Sequence, residues 1–130
     1  LKPLRVIKAI RVTPNLADDL ARWKAAIEKF DLWNLVGIVL ETATTAPGGT
    51  GIANDWETVV QHQRDGNFAG LPALIAAGGL TPETVADVVY SVHPFAVDVS
   101  SGVESNKRAK DAPKMHAFID SVRAADRAAE

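Results

Sequence analysis

The sequence predicts an α/β protein built on a parallel sheet, and three observations carry that prediction. Four short apolar runs are spaced along the 130 residues, each rich in β-branched or small residues and closed by turn or polar residues, as expected of strands covered on both faces. Segments of helical period lie between them. The two longest irregular segments, 41–54 (ETATTAPGGTGIAN) and 101–110 (SGVESNKRAK), each follow directly on a strand end. Such alternation implies right-handed crossovers, in either an open doubly wound sheet or part of a (β/α)8 barrel. One βαβαβαβα domain over 1–130 is expected, long enough to bury a core.

The first run is RVIKAI (5–10). Leu16, Leu20, Trp23, Ile27 and Phe30 then recur at steps of four and three, lining one face of a helix with large apolar groups. Trp33 falls in the connection that follows and is expected to pack in the core, like Trp23 and Trp56. The second run is LVGIVL (35–40), and a helix is expected from about Asp55 through Trp56, Val59 and Val60. After the third run, ALIAA (73–77), come Gly78 and Gly79, then Thr81 as N-cap and Pro82 at the first helical position. Val85, Val88, Val89 and Val92 form that helix's buried stripe. The fourth run, FAVDVS (95–100), leads to a helix from about Asp111 through Met115, Phe118, Ile119 and Val122. Aspartate at two helix starts offers an acceptor to unpaired N–H groups and suits the helix dipole.

Composition narrows function by exclusion. Fourteen Lys plus Arg against sixteen Asp plus Glu give a formal charge of −2, which supplies no basic footprint for nucleic acid or an anionic membrane. No stretch reaches the roughly 18 apolar residues of a membrane span, and LKPLRV lacks the apolar centre of a secretion signal, so a cytoplasmic location is expected. A chain that opens on Leu1 is expected to be a piece of something longer. The absence of cysteine excludes disulfides, thiolate metal sites and a cysteine nucleophile. His62, His93 and His116 lie within or after helices with no second ligand at metal spacing, and are read as surface residues.

Candidate chemistry gathers at the strand ends. Gly78 and Gly79 leave the backbone bare before a helix start, where successive N–H groups can point at an anion. Ser100, Ser101 and Gly102 repeat the device at the next strand end and add two hydroxyls. Together they suit a phosphate monoester; tight βα turns with no ligand are the alternative. PGGTG (47–51), with Gly49, Thr50 and Gly51, lacks the lysine and spacing of a nucleotide-binding loop, leaving a mobile loop over a ligand or a plain turn. Glu41 closes the second strand on the ligand side, where a partly shielded carboxyl group can deliver a proton near neutral pH; an ordinary solvated carboxylate is the alternative. Asp98 alternates with Val97 and Val99 and is expected to face away from the helices. Lys8 interrupts the first strand in the same way, so an interior network of Lys8, Asp98 and Glu41 is expected, or else a structural ion pair.

VIKAIRV, VLETATTAPGGTGIANDW, AAGGLTPETV and FAVDVSSGVES with KD at 110–111 resemble, in order, the C-terminal half of phosphoribosylanthranilate isomerase, a tryptophan-pathway (β/α)8 barrel. The likeness covers essentially the whole chain and implies strands five to eight of that barrel. It also implies an Amadori rearrangement without cofactor or metal, in which phosphoribosylanthranilate is opened and isomerised to the carboxyphenylamino-deoxyribulose phosphate. The family's general acid, usually aspartate, falls on Glu41, and its phosphate site falls on Gly78, Gly79, Ser100, Ser101 and Gly102. Lys8, Gly49, Thr50, Gly51 and Asp98 would lie near the substrate. The family's cysteine base and its basic residue for the anthranilate carboxylate belong to strands with no counterpart here, since such a barrel takes roughly 200 residues or more. A half-barrel exposes two edges and an apolar inner face, so pairing with an N-terminal half or a second copy is expected. The alternative function is a noncatalytic phosphate-binding half-barrel that acts through association.

Overall fold

Strands β1 (Val6–Val12), β2 (Leu35–Thr42), β3 (Ala73–Ala77) and β4 (Ala96–Asp98) pair in parallel, in sequence order across one sheet. They alternate with α1 (Leu16–Phe30), α2 (Trp56–Arg64), α3 (Val85–Val92) and α4 (Ala112–Ala129), and a 3-10 turn at Ser101–Val103 precedes α4. The computed structural model describes residues 4–42, 55–106 and 109–129. All four predicted strands and four predicted helices are present, with two strands longer and one shorter than expected.

Strand order decides between the two architectures the alternation allows. Right-handed crossovers that always step to the next strand leave every helix on the same face, whereas a doubly wound sheet carries helices on both. Here Ile10, Ile38, Leu40 and Ala76 are buried with Leu16, Leu20, Val59, Val85, Val88, Val89, Val92 and Phe118 in a single core. The opposite face is bare: Ile7 on β1 is 52% exposed, and Ala9, Arg11, Glu41 and Asp98 are also exposed. Leu4 and Phe95, in the segments just before β1 and β4, are 83% and 81% exposed.

The two expected aspartate caps form, while the expected cap at the start of α3 does not. Asp55 caps α2 by accepting from the Thr58 backbone N–H at 3.0 Å and from the Thr58 hydroxyl. Asp111 likewise accepts from the Lys114 N–H at 3.0 Å. Thr81 and Pro82, however, do not open α3. They enter a turn in which the Thr81 carbonyl accepts from the N–H groups of Thr84 and Val85, while the Thr81 N–H donates to the Thr84 hydroxyl at 3.1 Å. The helix proper begins at Val85. Reciprocal threonine hydrogen bonding competes with the helical ladder over this one turn. The four valines of α3 are buried as expected.

Three further expectations are corrected. Phe30, the last residue of the α1 stripe, is exposed, and Trp33 is 67% exposed rather than packed; α1 ends at a left-handed cap on Asp31, which leaves Phe30 on the last helical position and Trp33 in the short turn before β2. Lys8 does not face the bare side. It shares the parity of Ile10 and Val12, so period two sends it toward the helices, where its ammonium lies 5.4 Å from the centre of the Trp23 ring. Asp98, by contrast, does face away from them, opposite to Val97 and Val99, which pack against the core.

The Asp55 cap gives a pH-dependent prediction. The Thr58 hydroxyl and then the Thr58 N–H hold its carboxyl below the usual value, so its contribution is present above the unfolded aspartate range and disappears as pH falls through the folded one. Asp55→Ala should cost about 1 kcal/mol in urea unfolding at pH 7, and the two proteins should converge in stability as pH falls through the folded Asp55 value. Equal stability at pH 7 would show that the cap does not support α2.

Candidate anion site at the strand ends

The parallel register places Arg11, Glu41, Ala77 and Asp98 side by side in one row across the sheet. All four lie on the bare face at the C-terminal strand ends, and all line one cavity of about 370 Å³. The same cavity is lined by Gly78, Gly79, Leu80, Val99, Ser100, Ser101 and Gly102. The two glycine-bearing strand ends and Glu41, singled out from the sequence, therefore meet in one place.

Backbone conformation explains the residue types. Gly78 and Gly79 have φ of 90° and 65°, left-handed values that carry a steric penalty for residues with a Cβ. They turn the chain sharply out of β3 and over the ligand side. Gly102 meets a different constraint, because a Cβ there would lie 1.8 Å from the Leu80 carbonyl oxygen and 3.2 Å from the Thr81 Cα. The 3-10 turn after β4 thus sits directly on the backbone of the loop after β3. This contact joins the two strand ends.

A lysine that the sequence reading left without a role supports the second loop. Lys110 donates to the Ser100 carbonyl at 2.9 Å and to the Glu104 carboxylate at 2.7 Å. The Asp111 N–H donates to the Val103 carbonyl at 2.8 Å, and Lys114 to the Glu104 carbonyl at 2.8 Å. The start of α4 is thereby tied to the turn that carries Ser101 and Gly102.

Other expected site residues divide clearly. Lys8 is on the helix side, so the network of Lys8, Asp98 and Glu41 does not form; its cationic place in the row belongs to Arg11. Arg11 escaped the sequence reading because the first strand was taken to end at Ile10, one residue short of it. Carrying the alternation one more step would have found it. Glu41 is exposed, so the shielding expected for it is not supplied by this chain's own described residues. Gly49, Thr50 and Gly51 lie outside the described residues. His93 and His116 are exposed as expected, while His62 is half-buried with its ring Nδ1 2.8 Å from the Asn67 amide. Among the described residues, no helix is long and apolar enough to cross a membrane.

Comparison with known proteins decides the relationship. Residues 1–121 match the family model of N-(5'-phosphoribosyl)anthranilate isomerase. The chain belongs to this family. The N-(5'-phosphoribosyl)anthranilate isomerase of Pseudomonas paraeruginosa is 45% identical over 123 residues, covering 93% of this chain and 51% of that protein. The enzyme of Geotalea daltonii is 40% identical, covering 88% of this chain and 49% of its own length. Among solved structures, phosphoribosylanthranilate isomerase from Thermotoga maritima superposes with a TM-score of 0.68 at 33% identity, over 95% of this chain and 53% of that one. A family member in complex with reduced 1-(o-carboxyphenylamino)-1-deoxyribulose 5-phosphate superposes at 0.62 with 30% identity, over 92% and 48%. The chain spans about half the length of the curated relatives it matches.

The packing at Gly102 yields a direct test of how the site is assembled. Gly102→Ala should force the 3-10 turn off Leu80, lowering stability by about 1–3 kcal/mol in denaturant unfolding. The amide resonances of Gly79 and Ser101 should shift together. An alanine variant as stable as the parent, with both resonances unmoved, would mean that the two loops are not packed on each other.

Proposed function

We propose that this chain is the C-terminal half, strands five to eight, of a phosphoribosylanthranilate isomerase barrel, and that it supplies the enzyme's phosphate site and general acid. The observation that carries the reading is the meeting of two glycine-bearing strand ends and a carboxylate in one cavity. The substrate phosphate sits against the backbone N–H groups of Gly78, Gly79 and Gly102 and the hydroxyls of Ser100 and Ser101. Such donors are pre-oriented by the turns and suit a dianion. A ligand of the type bound by the solved relative, a ribulose 5-phosphate bearing a carboxyphenylamino group, then extends from the phosphate along the strand ends.

Glu41 is the general acid. In its protonated form it gives its proton to the furanose ring oxygen as the C1–O bond breaks and that bond's electron pair passes to the oxygen. The ring opens to an imine on the anthranilate nitrogen. A base from another part of the barrel then takes the C2 proton, leaving an enolamine that tautomerises to the ketone. Two features support this role: Glu41 stands in the row at the ligand end of β2, next to β3, and it lines the cavity. A bare, partly apolar sheet face and two open edge strands support the further reading that an N-terminal half-barrel, or a second copy of this chain, covers the face during turnover.

Glu41→Gln tests the acid. In a barrel completed with an N-terminal half, the substitution should lower kcat by about a hundredfold or more with little change in KM, and it should fail to rescue a tryptophan auxotroph that the parent rescues. Rescue equal to the parent would remove Glu41 from the mechanism.

A further inference from the structure

We propose that Lys110 is a positioning residue for the anion site: its ammonium fixes the Ser100 hydroxyl, and the turn that follows it, in the arrangement that binds phosphate, without touching the ligand. The inference rests on the phosphate reading and adds to it a residue outside the cavity. Three observations carry it. The Lys110 Nζ lies 2.9 Å from the Ser100 carbonyl oxygen, 2.7 Å from a Glu104 carboxylate oxygen and 3.4 Å from the Ser100 Oγ. Ser100 lines the strand-end cavity, whereas Lys110 lines a separate apolar pocket with Val99, Val103 and Phe118. Ser100 stands at the entry to the 3-10 turn, yet its side chain makes no capping hydrogen bond to that turn.

Donor and acceptor capacity gives these contacts a direction. A lysine ammonium carries three N–H donors and no acceptor, so at the Ser100 Oγ the lysine donates and the serine accepts. The hydroxyl's own proton is left to donate, which is the role a phosphate oxygen requires of it. Without the ammonium, the same hydroxyl is free to donate to a nearby backbone carbonyl instead. Two bonds to Ser100 and one to Glu104 use all three donors of the ammonium, so Lys110 acts through Ser100. Glu104 completes the clasp. It faces Lys110 in an isolated antiparallel bridge, and its carbonyl accepts from Lys114 at 2.8 Å, which holds it from the α4 side. The two side chains are 49% and 21% exposed, and an ion pair so open to water contributes little to stability. Its effect is on position.

Titration of inorganic phosphate into the chain, followed by the amide resonances of Gly79 and Ser101, tests the proposal. Lys110→Met should weaken phosphate about tenfold, while its urea midpoint stays close to that of the parent. Glu104→Met separates positioning from simple charge. Releasing the ammonium should weaken phosphate about threefold or more, whereas a lysine acting only as a distant positive charge would attract phosphate more strongly once Glu104 is gone. In a Ser100→Ala background, Lys110→Met should cost less affinity than it does in the parent, because the oriented hydroxyl is already missing. Unchanged phosphate affinity in Lys110→Met overturns the proposal and leaves the phosphate site standing, and so does tighter binding by Glu104→Met. Affinity and urea midpoint falling together across the variants would make the role of Lys110 purely structural and overturn it as well. If the parent does not bind phosphate, the phosphate reading fails and the role of Lys110 fails with it.

Discussion

The parallel register of the four strands is the constraint on which the other features rest. Pairing Arg11 with Glu41, Glu41 with Ala77 and Ala77 with Asp98 puts every polar residue of the row on one face at the ligand end. Slipping any strand by a single residue would exchange its two faces, sending Ile10 or Leu40 into water and a charge into the helix layer. The apolar core under the helices therefore holds the site in place indirectly. No residue of the row needs a strong mutual contact, because its position follows from what the neighbouring positions on each strand bury.

Backbone packing at the strand ends completes the arrangement. The two loops that carry the proposed phosphate donors are joined where Gly102 rests against Leu80, a separation no side chain fits. Lys110 and the start of α4 hold the second loop from behind. Glycine here serves two distinct purposes: left-handed turns at Gly78 and Gly79, and close approach at Gly102. Both are backbone requirements, which is why bare backbone follows a buried strand at this point in the chain.

One face of the sheet is finished and the other is not. Helix-side positions form a continuous core, whereas Ile7, Arg11, Glu41 and Asp98 on the bare face remain in water. Membership in the phosphoribosylanthranilate isomerase family, together with a span of about half its relatives' length, fits this asymmetry. A closed barrel covers the same face on all sides, and its interior is packed rather than open.

Local pattern determined a large part of this structure. Four strands, four helices, the aspartate caps at Asp55 and Asp111, the valine stripe of α3 and the glycine and serine strand ends were legible in the chain, because each depends on neighbours within about one turn or on period-two alternation. The motifs around Gly78, Ser100 and Glu41 also carried the family resemblance. What the chain alone left open depends on non-local contacts. The choice of a singly wound sheet over a doubly wound one lies in strand order, the side taken by Lys8 in the parity of Ile10, and the placing of Arg11 beside Glu41 in a register between segments 30 residues apart in sequence. Periodicity says that a strand has two faces. Only packing against the rest of the chain says which of them is covered.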